Sequence, residues 1–372
     1  MKITRLETIF VRPRWLFLKM HTDEGIIGLG EPVVEGRART VAQAIHDLEA
    51  YLIGQDPRRI EHHWQVMYRG TFYRGGPVLC SAISGIEQAM WDILGKSLGV
   101  PVYQLLGGHC RDRIRVYAQA HGDTPEQAAQ VARELVAQGF TALKTAIDAP
   151  VRLVDTRAYI KRQVVRIQAM REAIPDTVDL AVDFHGRVGP AMAIRLAKEL
   201  EEFDLMFIEE PVLPENVDAM VTVARSTKTP IATGERLFTR WGFREVLEKQ
   251  AAVILQPDLC HAGGISEVRK IAAMAEVYYA AVAPHNPLGP ISLAAAVQVD
   301  ACTPNFLCQE QVSFGEGYLK QPFIAQNGYI DLPTAPGLGI ELDDAAVAAQ
   351  SYDGSWVTPH LFHQDDGSFG EW

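Results

Sequence analysis

Six acidic or histidine residues recur at nearly constant intervals through the second half of this chain. They are Asp183, Glu209, Glu235, Asp258, His285 and Glu310, with steps of 26, 26, 23, 27 and 25 residues between them. Most of them end a short apolar run, and one strand, one helix and two loops take roughly 25–40 residues, so the interval indicates a repeated β/α unit. In a (β/α)8 barrel the ends of successive strands meet at one mouth, where catalytic groups lie. The spacing therefore predicts that these side chains converge on one site.

Eight apolar segments fit the strands of such a barrel. Asp123-Thr124-Pro125-Glu126 between the first two is typical of a helix start, because a capping residue precedes a first-turn proline. Residues 148–158, after the second segment, are predicted to be an insertion beside the mouth. The eight predicted strands are 114–120, 141–147, 178–185, 205–211, 230–235, 252–259, 280–286 and 305–311.

The remaining chain divides into a leading domain and a closing segment. Residues 1–112 read as a separate α+β domain, with strand-like runs before and after Arg12-Pro13 and helical stretches near 39–53 and 81–99. The barrel takes residues 113–325, and residues 326–372 are predicted to return and pack on the first domain. The predicted fold class is therefore α/β, a TIM-like barrel with an additional α+β domain.

Composition excludes several classes of function. A chain of 372 residues that is 48% hydrophobic and 22% charged can build a sizeable core. A net charge of −11 argues against a nucleic-acid partner. No apolar window is long enough for a membrane span, and the N-terminus lacks the apolar core of a signal peptide. Five cysteines without CxxC spacing favour reduced thiols, so we expect a cytoplasmic protein.

Three of the recurring carboxylates end neighbouring predicted strands. Asp183, Glu209 and Glu235 cannot all stay ionised a few ångströms apart unless their pKa values rise or a cation lies among them. A site with oxygen ligands only favours Mg²⁺ over zinc. The alternative is that one or two of them cap a helix or pair with Arg187 or Arg236. Strand parity alone leaves open which of the two adjacent residues, 209 or 210, faces the site.

The other recurring residues suggest proton transfer. A carboxylate at Asp258 bonded to the imidazole of His285 would fix its tautomer and raise its basicity, which predicts a general base. The alternative is a structural histidine bonded to a backbone carbonyl. His185 lies two residues beyond Asp183, on the same predicted strand face, and is a candidate ligand or acid. Glu310 is a candidate partner for a substrate oxygen, or else a helix-capping or solvated glutamate.

The second predicted strand carries one base and lacks another. Lys144 offers the positive charge that an anionic substrate needs, although it is also a candidate for a structural ion pair. Ala146, two residues along, has a methyl group where a second base on the opposite side of the substrate would be expected. The absence of that base argues against racemisation.

The chain resembles the enolase superfamily, in its mandelate racemase-like branch, over nearly all of its length. Sites of this superfamily use a Lys or His base with Mg²⁺. The resemblance is greatest to the acid-sugar dehydratases of the branch. Its motifs are DFHGR (183–187), FIEEPV (207–212), ATGER (232–236), LQPDLCHAGGI (255–265), APHNPLGPI (283–291) and QEQ (309–311).

The resemblance implies a role for each candidate. It makes Asp183, Glu209 and Glu235 the ligands of one Mg²⁺ per subunit, and thus selects Glu209 over its neighbour. It makes His285, oriented by Asp258, the base that removes the proton α to the substrate carboxylate. His185 becomes the acid for the departing β-hydroxyl, and Glu310 an electrophilic partner of the carboxylate.

The resemblance also implies that the first domain, together with the C-terminal tail, caps the barrel. Loops of this capping domain around Arg14 and Trp15, and around Tyr73, would close over a small sugar-acid substrate, with Lys144 also contacting it. Barrels of this branch are commonly homo-oligomers.

Two departures from the branch qualify the expected reaction. Racemases of the branch carry Lys-X-Lys where this chain has Lys144-Thr145-Ala146, and the most similar dehydratases carry Asn at the position of Ala146. The favoured reading is an acid-sugar dehydratase. The alternatives are a dehydratase of a different sugar acid, an epimerase or racemase, and a non-catalytic protein that binds sugar acids.

Overall fold

The N-terminal part of the chain folds as an antiparallel sheet covered by helices. The computed structural model describes residues 1–372. The three strands form a meander in which Val11 pairs with Trp15 and Leu18 with Gly30. A Cβ atom at Gly30 would overlap the carbonyl oxygen of Gly85, so glycine allows the sheet and the longest helix to approach closely. The elements are β1 (Ile3–Val11), β2 (Trp15–Thr22), β3 (Ile27–Gly30), α1 (Ala38–Leu52), α2 (Ile60–Arg69), α3 (Pro77–Leu98) and α4 (Val102–Leu105).

A parallel sheet with alternating helices follows, as the repeated interval predicted. Its seven strands run in chain order from β5 to β11. The predicted helix start is confirmed, since α5 begins at Pro125 and Thr124 caps it in a capping box with Gln127. The elements are β4 (Arg113–Arg115), β5 (Ala118–Gln119), α5 (Pro125–Ala137), β6 (Ala142–Ala146), α6 (Arg157–Ala173), β7 (Asp179–Asp183), α7 (Pro190–Leu200), β8 (Ile208–Glu209), α8 (Val217–Ala224), β9 (Ile231–Thr233), α9 (Thr239–Glu248), β10 (Ile254–Leu255), α10 (Ile265–Val277), β11 (Ala281–Val282) and α11 (Pro290–Ala301).

Two of the eight predicted strands differ from the structure. The first, 114–120, is split, because β4 pairs outside the barrel and only β5 joins the parallel sheet. The eighth, 305–311, forms no regular strand and makes single parallel bridges, from Phe306 to Val282 and from Gln309 to Val116. This segment therefore fills the gap between β11 and the start of β5, and the predicted TIM-like α/β fold is confirmed.

A layer of buried side chains closes the inside of the barrel beneath the strand ends. It takes one residue from each of the eight barrel positions, four of them alanines and four of them larger side chains. This floor keeps the side chains above it at the mouth. Its members are Tyr117, Ala142, Ala181, Phe207, Ala232, Ile254, Ala283 and Cys308.

The C-terminal segment touches both parts of the chain. β13 pairs antiparallel with β4, and Ser351 bridges to Val11 at the end of β1. Arg39 of α1 forms an ion pair with Asp353. The division of the chain after residues 112 and 325 stays a prediction. The elements are β12 (Ala325–Gln326), β13 (Tyr329–Asp331), α12 (Asp344–Ala349), β14 (Leu361–Phe362) and β15 (Phe369–Gly370).

All five cysteines are free thiols. None of the helices is both long enough and apolar enough to cross a bilayer.

Candidate active site

Three carboxylates lie together at the mouth of the barrel. Asp183 ends β7, Glu209 ends β8 beside it in register, and Glu235 follows β9. Each can place one oxygen so that the three atoms lie within 4.8 Å of one another. Burial raises the pKa of all three, and the negative charge of Asp183 raises those of Glu209 and Glu235 further. The donors of the cluster are all oxygens, a set that suits a hard divalent cation.

The neighbouring residue Glu210 forms an ion pair with Arg236 instead of joining the cluster. Its backbone has a φ of 40°, and its carboxylate accepts hydrogen bonds from Arg236 at 2.6 and 3.0 Å. Glu235 lies 3.8 Å from the same guanidinium, so Glu210 is the main partner of Arg236. Glu209 faces the cluster, so the geometry selects Glu209 over Glu210 as the residue that faces the site.

Lys144 lies at the centre of the negative charge. Its Nζ atom is 2.9 Å from both oxygens of Glu209, 2.9 Å from Glu310 Oε1 and 3.4 Å from Asp183 Oδ2. Burial alone would lower the pKa of Lys144, but Glu209 and Glu310 outweigh it and raise the pKa well above its usual value. The ammonium group is therefore charged, and it forms ion pairs with Asp183, Glu209 and Glu310.

His285 and Asp258 form the predicted pair. His285 Nδ1 lies 2.8 Å from Asp258 Oδ2, and the other Asp258 oxygen accepts the backbone N–H of Cys260 at 2.6 Å. His285 Nε2 points into the site, 3.4 Å from Glu235 Oε2 and 3.8 Å from Glu310 Oε2. Burial lowers the pKa of His285, but Glu235 and Glu310 reverse this and raise it well above 6.5. A proton-abstracting base must be neutral, so this role requires extra positive charge beside those carboxylates.

His185 reaches the site by a different route from the one that strand parity predicted. β7 ends at Asp183, and His185 lies beyond it in the left-handed region, with a φ of 51°. Its backbone N–H donates to Asp183 Oδ1 at 2.7 Å, and its imidazole Nδ1 has no hydrogen-bond partner. Burial, followed by Arg187, lowers the pKa of His185 to about 3. The imidazole is therefore neutral near pH 7, although its Nδ1 atom lies 3.3 Å from Asp183 Oδ1.

Glu310 is held by three donors, one of which is Lys144 at 2.9 Å. Gln119 donates to its Oε1 at 2.6 Å, and the backbone N–H of Asn286 donates to its Oε2 at 2.8 Å. Burial raises the pKa of Glu310, but Lys144 and His285 more than offset this and lower it to about 2. Glu310 is neither solvated nor a helix cap, and it stays ionised at the same mouth.

A cavity of about 590 Å³ opens at this mouth, and it is lined by Asp183, Glu235, His185, His285 and Glu310. Glu209 and Asp258 are fully buried and do not line it. Lys144 and Arg14 both face it, and Arg14 also donates to the carbonyl oxygen of Pro287 at 3.3 Å. The other two predicted substrate contacts do not face it. Trp15 is 4% exposed and packs on Phe17 and Tyr318, because the first four residues of β2 are all buried.

Tyr73 also lies outside the cavity. Its side chain is 84% exposed and packs edge to face on Phe72, at 5.2 Å between ring centroids. The structure therefore does not bring Tyr73 to the substrate site.

Sequence reasoning missed several residues that line the cavity. His121 follows β5, so the argument from strand ends would have found it. His261 lies three residues after Asp258 and bonds Ser81 of α3 at 2.9 Å. Trp356 and Trp372 come from the C-terminal segment, and no local pattern in the sequence connects them to the barrel mouth.

Comparison with known families accounts for both parts of the chain. Residues 7–107 match the family described as the mandelate racemase / muconate lactonizing enzyme N-terminal domain. Residues 126–346, more than half of the chain, match the family described as enolase C-terminal domain-like.

Individual proteins match over the full length. Proteins named D-galactonate dehydratase from Ralstonia pickettii (strain 12J) and Verminephrobacter eiseniae (strain EF01-2) are each 50% identical to this chain, with 100% of both sequences covered. Among solved structures, a mandelate racemase/muconate lactonizing enzyme from Sulfitobacter sp. has a TM-score of 0.90 and 38% identity, covering 95% of this chain and 96% of its own.

Proposed function

Since this chain belongs to the mandelate racemase and muconate lactonizing enzyme family of the enolase superfamily, we propose that it is a magnesium-dependent acid-sugar dehydratase, a hydro-lyase acting on D-galactonate. The product would be the 2-keto-3-deoxy acid. The observation that carries the proposal is one barrel mouth that brings together three clustered carboxylates, the Asp258–His285 pair and a second histidine, His185. Asp183, Glu235 and both histidines line its cavity, whereas Glu209 and Asp258 are fully buried.

The donor set fits Mg²⁺. Asp183, Glu209 and Glu235 offer only oxygens, and burial raises the pKa of each. A bound Mg²⁺ would supply positive charge to the substrate carboxylate, where negative charge develops when the α-proton leaves. The same charge would counter the carboxylates that raise the pKa of His285.

The residues of the chain divide the proton transfers between them. His285 Nε2 takes the C2 proton, while Asp258 holds Nδ1 and fixes the tautomer. Lys144, held by Glu310 at 2.9 Å, would add positive charge beside the substrate carboxylate, and Glu310 would hydrogen-bond to that carboxylate only in its protonated form. The C3–O bond then breaks, the electrons of the former C2–H bond form the C2–C3 double bond, and water leaves.

His185 is the acid in this scheme. Burial and Arg187 lower the pKa of His185, and an anionic substrate beside the imidazole would raise it, so His185 would be protonated with the substrate bound. The enol that remains after water is lost takes up a proton at C3 and becomes the 2-keto-3-deoxy acid. His185 would protonate the departing hydroxyl.

The choice of D-galactonate rests on the names of the full-length relatives. The test is to incubate the purified protein and Mg²⁺ with a panel of C5 and C6 sugar acids and to follow 2-keto acid formation. We expect D-galactonate to give the highest kcat/KM. Turnover of a different acid alone would replace the substrate, and no turnover with C2 proton exchange also absent would favour a non-catalytic binding protein.

We further propose a cytoplasmic homo-oligomer. Free cysteines and a net charge of −11 suit a reducing compartment and a small-molecule substrate, with neither nucleic acid nor membrane as partner. Sedimentation analysis of the purified protein tests the oligomeric state.

A further inference from the structure

The far end of the chain forms one wall of the cavity. Trp356, Thr358, Glu371 and the terminal residue Trp372 all line it. The Trp372 indole meets the His185 ring edge to face at 5.8 Å between centroids, and the guanidinium of Arg187 lies 5.9 Å from the indole ring. The terminal residue of the chain is therefore in contact with the proposed acid.

The hairpin that carries Trp372 is fastened to the barrel. β14 and β15 pair Leu361 with Gly370, two residues before the end. A salt bridge joins Arg152 to both aspartates of the turn, at 2.8 Å to Asp365 and 3.0 Å to Asp366. Arg152 lies in the insertion that follows β6, so the insertion predicted beside the mouth holds the C-terminal hairpin in place.

A second contact joins the tail to the capping domain. The guanidinium of Arg14 lies 5.6 Å from the ring of Trp356 and also pairs with Glu35. Arg14, Glu35 and Trp356 all line the cavity. The tail thus completes the wall between the barrel mouth and the N-terminal domain.

The tail forms the wall of the cavity next to the end of the substrate that lies far from its carboxylate. The carboxylate of a sugar acid must lie near Lys144 and the acidic cluster, and its C2 proton near His285. The hydroxylated carbons beyond C3 then extend past His185 toward the tail. An indole face packs against the C–H groups of such a chain, and a carboxylate such as Glu371 accepts hydroxyl protons.

We propose that the C-terminal tail is the specificity wall of this enzyme, with Trp372 as the residue that determines the accepted chain length and Arg152 as the positioning residue that holds it. This inference rests on the proposed function, because it assigns the far end of the same substrate. It gives a role to a residue that makes no contact with the acidic cluster.

The test compares kcat/KM for D-galactonate with that for a five-carbon sugar acid. Trp372→Ala should lower kcat/KM for the six-carbon acid by about 10- to 100-fold and bring the ratio of the two acids toward one, since a lost apolar contact in a pocket discriminates by that amount. Trp372→Phe should restore most of the ratio. Mg²⁺ binding and the melting temperature should not change.

The salt bridge of Arg152 to the C-terminal hairpin is tested separately. Arg152→Ala should lower the ratio of the two kcat/KM values as Trp372→Ala does, but by a smaller factor. Arg152→Lys should recover part of that ratio. Lys320→Ala is the matched control, because Lys320 forms a similar exposed ion pair with Glu341 in the C-terminal half but lies outside the cavity. Its ratio should equal that of the unmodified protein.

The outcomes separate this inference from the proposed function. If the unmodified protein turns over no sugar acid, the proposed function fails. If it turns over D-galactonate and Trp372→Ala keeps the ratio within twofold, the specificity wall is wrong while the function stands. Should Trp372→Ala not fold, the fallback is Trp372→Leu, which removes the aromatic face. A kcat/KM ratio within twofold of the unmodified protein's in both Trp372→Leu and Arg152→Ala would overturn the specificity wall equally.

Discussion

His285 Nδ1 lies 2.8 Å from Asp258 Oδ2, while its Nε2 atom faces the cavity between Glu235 and Glu310. One nitrogen is therefore anchored and the other is available to the substrate. Asp258 is fully buried and its second oxygen is held by a backbone N–H, so the carboxylate cannot turn away. This arrangement fixes the direction in which the proposed base acts.

Replacing Asp258 with Asn should test that anchoring. Asn has the same shape, but its amide can present N–H to the imidazole and favour the wrong tautomer. We expect kcat for dehydration to fall by about 10²- to 10⁴-fold, with Mg²⁺ binding retained. Steady-state kinetics with D-galactonate measures this, and Asp176→Asn, on an exposed residue, is the control. Unchanged kcat in Asp258→Asn would contradict the role of the pair.

The two histidines should separate in an isotope experiment. His285→Asn should abolish both dehydration and exchange of the C2 hydrogen with D₂O, because no base remains. His185→Asn should stop dehydration but leave some exchange, since proton removal does not need the acid. NMR in D₂O follows both reactions. Equal loss of exchange in the two variants would refute the division of labour.

Much of this site could be predicted from the sequence because strand ends of a barrel converge. The six recurring residues needed only the repeated interval and the rule that strand ends share a mouth. The interior floor explains why this works, since it leaves the strand ends no position except the mouth. The resemblance added what parity could not, the choice of Glu209 over Glu210.

The features that were missed depend on geometry that a local pattern does not encode. The eighth predicted strand makes only single bridges to its neighbours, and the side-chain amide of Gln309 in this segment donates to the carbonyl oxygen of Pro284 at 3.1 Å. His185 departs from strand parity because the strand ends before it. Trp372 reaches the site through a hairpin held by Arg152, a contact between distant parts of the sequence.

The carboxylate cluster predicts a strict metal requirement. Excess EDTA should abolish turnover and added Mg²⁺ should restore it. Glu209→Gln should weaken Mg²⁺ binding by more than about 100-fold, because a neutral amide replaces one of three anionic ligands. Calorimetric titration with Mg²⁺ measures this, with Glu215→Gln, an exposed glutamate in the following loop, as control. Full activity in excess EDTA would overturn the metal assignment.

A buried carboxylate away from the site predicts how stability depends on pH. Glu87 of α3 accepts the backbone N–H groups of Ile265 and Ser266 at the start of α10, at 2.7 and 2.8 Å. Burial, only partly offset by these hydrogen bonds, raises the pKa of Glu87 from 4.5 to about 7. The folded state therefore binds this proton more tightly than the unfolded chain does.

The sign of the effect follows from that difference. The stabilisation is fully present below about pH 4.5 and is lost as the pH rises through about 7, an effect of about 3 kcal/mol at most. The melting temperature of the unmodified protein should therefore fall relative to that of Glu87→Gln between pH 5 and 8. Glu199→Gln, on an exposed residue, should show no such trend. A constant difference across this range would contradict the prediction.

The last prediction is that the protein does not interconvert C2 epimers, and it rests on Ala146. Inversion at C2 needs a second base opposite His285. Ala146 pairs in register with Asp183 and lines the cavity, but a methyl group carries no proton. Lys144, on the same strand face, is held by Glu209 and Glu310 at 2.9 Å and stays charged, so it cannot accept a proton.

Because the site has one base, His285, and one acid, His185, the intermediate formed by removal of the C2 proton is expected to lose its β-hydroxyl toward His185. D-galactonate and its C2 epimer, D-talonate, should therefore be supplied separately and followed by NMR. We expect the 2-keto acid from D-galactonate with no D-talonate appearing on the way. Interconversion of the two acids at a rate comparable to keto-acid formation would replace the dehydratase with an epimerase.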